Sequence, residues 1–203
     1  MNIDEVRYRM KHQLLYDCND DVLVKEQLAY LDQVFAYNQL KPSEQAEKQA
    51  LLKKMFAAIG EDCYFETPMH ASWGGKHVHI GNNFYANFNL TLIDDGDIYI
   101  GNDVLIACNV VLCSGTHPID PRTRSKKAQY NVPVHIHDNV WIGANCVVLP
   151  GVTIGKNSVI GAGSVVNKDI PSNVVAVGNP CRVLRSISED DRKTYHHDKQ
   201  IDL

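Results

Sequence analysis

The strongest constraint on how this chain folds is a six-residue repeat of aliphatic side chains in its second half. Aliphatic residues recur every six positions over 100–112 and again over 136–166, and a glycine or alanine often comes next. The positions are Ile100, Ile106, Leu112, Ile136, Ile142, Val148, Ile154, Ile160 and Val166. An earlier frame begins at Ile80 and slips by two residues around 94–97. A repeat of fixed length indicates an architecture of stacked units.

The repeat predicts a β-solenoid in which each unit supplies one short strand and one corner. Four residues after each aliphatic position stands a small or β-branched residue, such as Val104 or Cys146, which we expect to face the core as well. Three units close a coil of about 18 residues, and coils stack about 4.8 Å apart, the spacing of neighbouring strands. A β-sandwich would need turns every ~8–12 residues. The 136–166 series contains no such turns.

Residues 1–60 have a helical pattern and predict an N-terminal α-helical cap. One helix follows the candidate capping residues Asp20 and Asp21, and a second begins near Ser43 and ends at Gly60. The apolar stripe of the first helix consists of Val24, Leu28, Leu31 and Phe35. We expect the helices to pack against another part of the protein.

The repeat defines a solenoid domain over 61–185. Positions 112 and 136 differ by 24, which is a whole number of repeats, yet polar residues occupy the aliphatic positions between them. Residues 118–133 therefore predict a loop that leaves the coil and returns in phase. Long loops in compact domains are often functional. The charged segment 186–203 predicts a polar C-terminal tail.

Composition excludes several classes of protein. The chain of 203 residues is 44% hydrophobic and 22% charged, which is typical of a globular protein. A net charge of -4 argues against a nucleic-acid binder, which needs concentrated positive charge. No apolar run approaches the ~18 residues of a membrane span, and the charged start does not resemble a signal peptide. The six cysteines form no CxxC pair, so we expect reduced thiols and a cytoplasmic protein.

Several short stretches resemble a known family. They are 16–17 (YD), 83–89 (NFYANFN), 116–121 (THPIDP), 139–143 (NVWIG), 150–155 (PGVTIG) and 178–182 (GNPCR). With the repeat, they resemble the maltose and galactoside O-acetyltransferase group of the hexapeptide-repeat acyltransferases. The resemblance covers nearly the whole chain. It implies a left-handed parallel β-helix, a homotrimer with active sites between subunits, and acetyl transfer from acetyl-CoA to a sugar hydroxyl.

The resemblance makes His117 the candidate general base. Attack of a hydroxyl on a thioester needs a group that removes the hydroxyl proton, and an imidazole can do so near neutral pH. His117 ends the regular coil where the 118–133 loop begins, so we expect it to project into a cleft. The family implies direct attack, with the ring held by a backbone carbonyl near Gln129. A covalent route through Cys113 is the alternative, although no nucleophile motif such as GxSxG is present.

The resemblance also implies a polar site for the acceptor. Sugar hydroxyls need carboxylate and amide partners, and four residues match positions at which the family contacts its acceptor. They are Asp17, Ser72, Asn87 and Asp95. Asp95 also belongs to an Asp-Asp-Gly-Asp run, which is typical of an ordinary turn.

For acetyl-CoA, the resemblance implies a groove between stacked coils. Small residues at matching corner positions would line it: Ala107, Ala144 and Ala162. Trp141 points outward in the repeat and is predicted to contact either the pantetheine or adenine group or another subunit. Near the nucleotide end, where phosphates need cations, the matching residues are Asn167, Lys168 and Arg185. Asn167 replaces a threonine common in the family.

Two further groups of residues have simpler interpretations. Pairs of histidines that could bind a metal are His77 with His79 and His135 with His137. The zinc enzymes of the same fold carry an HxxxxH motif that this chain lacks, so we expect no metal. The basic residues of the loop, Arg122, Arg124, Lys126 and Lys127, either attract anionic CoA or form a solvated surface.

Two other functions stay open. One is acetyl transfer to a different hydroxyl acceptor, such as a nucleotide-linked sugar, an oligosaccharide or an antibiotic. The other is a non-catalytic β-helical scaffold.

Overall fold

The fold of residues 2–196 and 199–202 is described by a computed structural model. Short parallel strands coil around a triangular core. The first turns of the solenoid contain β2 (Ala58–Ile59), β3 (Tyr64–Phe65), β4 (His70–Ala71), β5 (Val78–Ile80), β6 (Tyr85–Ala86), β7 (Thr91–Ile93), β8 (Ile98–Ile100), β9 (Leu105–Ile106) and β10 (Val111–Cys113). An excursion after β10 contains β11 (Gly115–Thr116) and β12 (Ala128–Asn131). The coil then resumes with β13 (Val134–Ile136), β14 (Trp141–Ile142), β15 (Val147–Val148), β16 (Thr153–Ile154), β17 (Val159–Ile160), β18 (Val165–Val166) and β19 (Val174–Val177). The predicted parallel β-helix with an N-terminal helical cap is confirmed.

Every third strand stacks into one of three sheets, and these form the faces of the triangle. Face 1 consists of β2, β5, β8, β13 and β16, and face 3 of β4, β7, β10, β15 and β18. Face 2 consists of β3, β6, β9, β14, β17 and β19, to which β20 (Arg182–Ser186) adds antiparallel. The first corner joins face 1 to face 2, the second joins face 2 to face 3, and the third joins face 3 to face 1 of the next coil.

The repeating aliphatic residues fill the core, as predicted. All nine of the named positions are at most 4% exposed. Their alignment follows the strand pairing, since Ile106 pairs with Ile142 and Ile142 with Ile160. Burying one such side chain contributes about 1.5–3 kcal/mol, so the stacked ladder is the main source of stability.

The first corner depends on a feature that the repeat analysis did not single out. Three residues after the aliphatic position, an Asn or Asp adopts a left-handed backbone with φ between 54° and 62°. These residues are Asp62, Asn83, Asp103, Asn139, Asn157 and Asn173. Asn and Asp tolerate this conformation better than other non-glycine residues. Their side chains also form a ladder, in which Asn139 Nδ2 donates to Asn157 Oδ1 at 3.1 Å and Asn157 Nδ2 to Asn173 Oδ1 at 2.7 Å.

The helical cap consists of α1 (Ile3–Lys11), β1 (Tyr16–Asp17), α2 (Asp21–Gln39) and α3 (Gln45–Met55). Asp20 caps α2, because its carboxylate accepts hydrogen bonds from the amides of Val22 and Leu23. The second predicted helix is shorter than expected at both ends. Gly60 does not end it but lies in the first corner, where a Cβ would be 2.5 Å from Asn82 Oδ1.

The prediction that the apolar stripe of α2 is its buried face was wrong. Val24, Leu28, Leu31 and Phe35 are 37–66% exposed. The helix instead buries Leu23, Val34 and Tyr37. The Tyr37 hydroxyl donates to the Phe65 carbonyl at 3.2 Å. A tyrosine with a hydrogen-bonded hydroxyl can therefore anchor the helix, and a pattern that counts only aliphatic residues misses this face.

The excursion between β10 and β13 is an ordered substructure. After β11 the chain forms α4 (Pro121–Arg124), capped by Asp120, and then returns along β12. β12 pairs antiparallel with β11 on one side and with β1 of the cap on the other. This three-stranded sheet joins residues more than 100 positions apart in the chain.

The C-terminal segment continues the fold for a few residues beyond the solenoid. After β20, a 3-10 turn at Asp190–Arg192 leads to β21 (Thr194–Tyr195) and β22 (Lys199–Gln200), which pair antiparallel. Residues 197, 198 and 203 of the predicted tail lie outside the described residues. Arg185 of β20 forms a two-pronged ion pair with Asp191 at 2.6 and 2.8 Å.

Candidate active site

His117 lies at the third corner, just after β11, with its side chain exposed. Its Nδ1 is 2.9 Å from the carbonyl oxygen of Ala128, the first residue of β12. A carbonyl only accepts hydrogen bonds, so this contact requires a proton on Nδ1. Nε2 then carries the free lone pair. The carbonyl lies one residue before the position suggested by the sequence.

The sheet of β1, β12 and β11 brings Asp17 to this corner. Asp17 pairs with Ala128 in the ladder, so the cap strand lies beside the carbonyl that holds His117. The Asp17 carboxylate accepts a hydrogen bond from the Asn19 amide at 2.9 Å. No sequence motif predicts this pairing, because the two strands are separated by more than a hundred residues.

Ser72 and Asp95 also lie at the third corner and are close to each other. Ser72 Oγ is 3.5 Å from Asp95 Oδ2 and 3.2 Å from Asp94 Oδ1. Trp73 Nε1 donates to Asp95 Oδ1 at 3.2 Å. Asp95 thus forms part of a hydrogen-bonded arrangement rather than an isolated turn.

Asp94 is buried beneath this arrangement. Its carboxylate accepts hydrogen bonds from the backbone amides of Trp73 at 2.7 Å and Gly75 at 3.0 Å. Burial raises the pKa of the Asp94 carboxyl, against the effect of the hydrogen bonds that it accepts. We infer that Asp94 shapes the loop that contains Ser72, a role that the sequence analysis did not assign.

Asn87 lies elsewhere, at the second corner between β6 and β7. Its Oδ1 accepts a hydrogen bond from the Phe88 amide at 2.7 Å. The second and third corners are the two edges of face 3. Asn87 is therefore not grouped with His117, Ser72 and Asp95 within a single chain.

The residues suggested for acetyl-CoA divide in the same way. Ala107, Ala144 and Ala162 are at the second corner, while Asn167 and Lys168 are exposed at the third, after β18. The three alanines do not occupy equivalent positions in successive coils, although the sequence analysis had assigned them to matching corner positions. Ala107 stacks with Gly143, whereas Ala144 and Ala162 stack with Cys108, because each of them follows its strand by two residues.

Trp141 and Arg185 complete the set suggested for acetyl-CoA. Trp141 is 52% exposed on the outer side of face 2, between Leu105 and Val159 in neighbouring strands. Arg185 is at the C-terminal end of the same face, in its ion pair with Asp191. Hydrogen bonds from Arg185 and Ser188 hold the pKa of the Asp191 carboxyl well below its usual range.

A cavity of about 310 Å³ lies next to the third corner, between α1 and the solenoid. Asp95, His77 and Asn131 line it together with three cations, Arg7, Lys11 and Lys76. Glu26 bridges Arg7 and Lys76. Burial opposes ionisation of Glu26, but the hydrogen bonds from these two cations outweigh it and lower its pKa.

Cys113 has the features of an inert thiol. It lies in the column of Ser72 and Ile93, and its Sγ is 3.1 Å from the Gly115 carbonyl oxygen. Burial raises the pKa of the Cys113 thiol, and the nearby Asp95 carboxylate adds to this effect. A thiol that stays protonated is a poor nucleophile.

The histidine pairs have other contacts. His77 Nδ1 bonds the Asp94 carbonyl at 2.7 Å, and His79 Nε2 pairs with Asp97 at 3.0 Å. His79 and His135 stack on opposite sides of Tyr99, with ring centroids 4.6 and 4.9 Å apart. Among the described residues, no group of three or more His, Cys, Asp or Glu is placed to hold a metal ion.

The basic residues of the excursion, from Arg122 to Lys127, are exposed on α4 and the turn after it. In the described part of the chain, no helix is both long and apolar enough to cross a membrane.

Comparison with known proteins identifies the family. A model of the bacterial transferase hexapeptide (six repeats) matches residues 133–168, and one of the maltose acetyltransferase hexapeptide capping motif matches residues 9–60. The galactoside O-acetyltransferase of Lactococcus lactis subsp. lactis (strain IL1403) is 53% identical over 195 residues, covering 96% of this chain and 94% of that protein.

Solved structures agree. A galactoside acetyltransferase in complex with coenzyme A superposes with a TM-score of 0.92 at 42% identity, over 98% of both chains. The maltose O-acetyltransferase of Clostridium difficile 630 superposes with a TM-score of 0.88 at 40% identity, over 91% of this chain and 98% of that one. The repeat, the cap and these similarities together show that the chain belongs to the hexapeptide-repeat sugar O-acetyltransferases.

Proposed function

We propose that this protein transfers an acetyl group from acetyl-CoA to a hydroxyl of a sugar of the maltose, glucose or galactoside type, with His117 as general base. The contact between His117 Nδ1 and the Ala128 carbonyl is the observation that carries the proposal. It fixes the ring in the tautomer whose Nε2 accepts a proton, and this is what attack by a hydroxyl requires. The imidazole is exposed, so an acceptor can reach it.

The reaction balances with this one residue as proton carrier. His117 Nε2 takes the proton of the acceptor hydroxyl while the hydroxyl oxygen forms a bond to the carbonyl carbon of the acetyl group. The tetrahedral intermediate then breaks its C–S bond, and the leaving CoA sulfur takes the proton back from the imidazolium. No acetyl-enzyme is formed. The raised pKa of the Cys113 thiol, which keeps it protonated, supports this direct route over a covalent one.

The acceptor class is inferred from the polar groups at the site. Asp17, Ser72 and Asp95 offer oxygen atoms at the third corner, where sugar hydroxyls can donate and accept hydrogen bonds. The relatives named above act on galactosides or maltose. We therefore place the acceptor among small neutral sugars rather than nucleotide-linked ones.

Acetyl-CoA is the donor in this proposal. A similar structure was solved with coenzyme A. The small residues Ala107, Ala144 and Ala162 leave room for a pantetheine arm beside the second corner, and Trp141 presents an exposed ring nearby. Asn167, Lys168 and Arg185 would contact the nucleotide part. We also propose that the enzyme works in the cytoplasm, where acetyl-CoA is available and its free thiols stay reduced.

We further propose that the protein is a homotrimer with each active site shared between two copies. The division of the site residues between two corners supports this assembly. His117, Ser72 and Asp95 lie at the third corner and Asn87 at the second. Five of the residues suggested for acetyl-CoA are divided between the same corners, while Trp141 and Arg185 lie on face 2. A ring in which the third corner of one copy meets the second corner of the next would complete every site, and such contacts close into cyclic symmetry.

The activity is tested by thiol release from acetyl-CoA, with maltose, glucose, a galactoside and no acceptor as parallel reactions. We expect release that depends on a sugar acceptor. Tight acetyl-CoA binding by calorimetry without release would point to an acceptor of another class. Absence of both binding and release would contradict the proposal and favour a scaffold.

The sharing of sites is tested by complementation. His117→Ala damages the third corner and Asn87→Ala the second, so each variant alone should be nearly inactive. When the two are co-expressed, about one site in three of each mixed trimer would combine an intact third corner with an intact second corner, which is about a quarter of all sites after random assembly. We expect activity to return to about that fraction of wild type. No recovery in purified mixed oligomers would contradict shared sites.

A further inference from the structure

A buried polar network connects the helical cap, the excursion between β10 and β13, and the third corner of the solenoid. Tyr16, Gln129 and Asn131 are 3%, 8% and 1% exposed. Gln129 Nε2 donates to the Tyr16 hydroxyl at 2.7 Å and to Asn131 Oδ1 at 3.3 Å. The Tyr16 hydroxyl donates to Asn131 Oδ1 at 3.2 Å. Asn131 Nδ2 donates in turn to the backbone carbonyl of Asp95 at 2.8 Å. The network therefore ends at Asp95, one of the residues proposed to contact the sugar.

The same strand that holds this network also holds the base. β12 begins at Ala128, whose carbonyl accepts the hydrogen bond from His117, and it ends at Asn131, which bonds Asp95. Asn131 pairs in the ladder with Gly115, two residues before His117. One short strand therefore contacts the general base at one end and the acceptor residue at the other.

The packing leaves little freedom between these groups. A Cβ at Gly115 would lie 2.8 Å from Asp95 Oδ2, and a Cβ at Gly96 would lie 2.7 Å from Asn131 Cβ. β11, β12 and the Asp95 turn are therefore in close contact. A small change in the position of β12 would move the His117 ring relative to the Asp95 carboxylate.

Burying three polar side chains costs free energy unless all of them are paired. Here the hydrogen bonds run in one direction, from Gln129 through Tyr16 and Asn131 to Asp95. Burial and the Asp95 carboxylate raise the pKa of Tyr16, so its hydroxyl stays protonated and remains a donor. A buried network of this kind, in which each of the three side chains is hydrogen-bonded, fixes geometry more specifically than apolar packing does.

We propose that Tyr16, Gln129 and Asn131 are positioning residues that fix the separation of the His117 imidazole and the Asp95 carboxylate during acetyl transfer. This inference rests on the proposed function. The three side chains act through the Ala128 carbonyl and the Asp95 backbone and do not touch the reacting atoms. Misplacing reacting groups by about 1 Å can cost about 10² in rate, and loss of one member of the network should cost part of that.

The test compares Tyr16→Phe with Tyr37→Phe as a matched control. Both tyrosines are buried, both hydroxyls donate one hydrogen bond of 3.2 Å, and burial raises the pKa of both. Tyr37 bonds the Phe65 carbonyl at the contact between α2 and the solenoid. Tyr16→Phe also removes the hydrogen bond that the Tyr16 hydroxyl accepts from Gln129, so the kinetics are compared at a temperature at which both variants are fully folded. A kinetic difference measured there reports position rather than stability.

We expect Tyr16→Phe to lower kcat/KM for the sugar about tenfold while KM for acetyl-CoA changes less than about twofold. Tyr37→Phe should leave both values near wild type. Asn131→Ala, which removes the bond to Asp95 itself, should lose more than Tyr16→Phe. Equal kinetic losses in Tyr16→Phe and Tyr37→Phe, or no loss in Tyr16→Phe, would overturn the positioning role.

Hydrogen exchange of the segment 115–131 provides a second readout that does not depend on the acceptor. Exchange should be faster in Tyr16→Phe than in wild type and unchanged in Tyr37→Phe; equal exchange in all three proteins would overturn the network's role in holding β12. If the wild type itself shows no acceptor-dependent turnover, the proposed function fails and the positioning role fails with it. An active wild type matched by Tyr16→Phe would contradict the positioning role alone.

Discussion

At the scale of single residues, the site depends on how His117 is held rather than on an unusual side chain. The Ala128 carbonyl accepts a hydrogen bond from one ring nitrogen, and in the proposed reaction the other ring nitrogen takes a proton. The sequence could predict His117 because its motif and its position at the start of the excursion agree. It could not predict Tyr16, Gln129 or Asn131, because their contacts join parts of the chain about 115 residues apart.

Cys113 gives a residue-scale prediction with a defined pH dependence. Its raised pKa means that less thiolate is present at any given pH than for an ordinary cysteine, for which the value is about 8.5. Alkylation of Cys113 by iodoacetamide, followed by mass spectrometry, should be slower at pH 7 than that of an exposed cysteine with an ordinary pKa, and its rate should go on rising to higher pH than for such a cysteine. Cys113→Ala should keep acceptor-dependent activity within about twofold. A loss as large as that of His117→Ala would favour the covalent route.

At the scale of elements, the six-residue period predicted the solenoid because every turn repeats the same burial. The left-handed Asn and Asp residues of the first corner each stand three residues after an aliphatic position, so they could have been read from the sequence. The buried face of α2 was not predictable from aliphatic residues, because Tyr37 and Asn38 anchor the helix through hydrogen bonds to Phe65 and Met69 carbonyls.

Asn157 tests the corner ladder. It combines φ of 62° with side-chain bonds to Asn139 and Asn173. Asn157→Ala loses both bonds and puts alanine, which tolerates the left-handed region less well than asparagine, at this corner, so we expect a loss of about 2–3 kcal/mol in the free energy of unfolding. Asn157→Gly keeps the backbone conformation and should lose about 1 kcal/mol less. Urea unfolding measures both, and equal losses would show that backbone conformation does not matter here.

At the scale of the whole molecule, the exposed stripe of α2 fits the proposed trimer. α2 packs on β4 of face 3, which lies between the two corners that each contain half of the site. In a ring that joins third corner to second corner, face 3 points toward the axis. The sequence predicted only that the helical cap packs against something else, and for the exposed stripe of Val24, Leu28, Leu31 and Phe35 we propose a neighbouring copy as the partner.

Phe35, which is 66% exposed, is the most direct probe of that surface. Phe35→Ser removes a large apolar side chain from it, so we expect the oligomer to dissociate at a higher protein concentration than the wild type. Ile201→Ser, at an exposed apolar residue of the C-terminal segment, is the control for general surface effects. Sedimentation velocity over a dilution series measures both variants. A Phe35→Ser protein that assembles like wild type would remove α2 from the interface.

His117 is the proposed base in acetyl transfer to a sugar. The measurement that tests it most directly is acceptor-dependent thiol release from acetyl-CoA by wild type, His117→Ala and His137→Ala, the last being a histidine of the first corner. We predict that release falls about 10²–10⁴-fold in His117→Ala, with acetyl-CoA binding retained, and stays near wild type in His137→Ala. A folded His117→Ala protein that releases thiol at the wild-type rate would contradict the account.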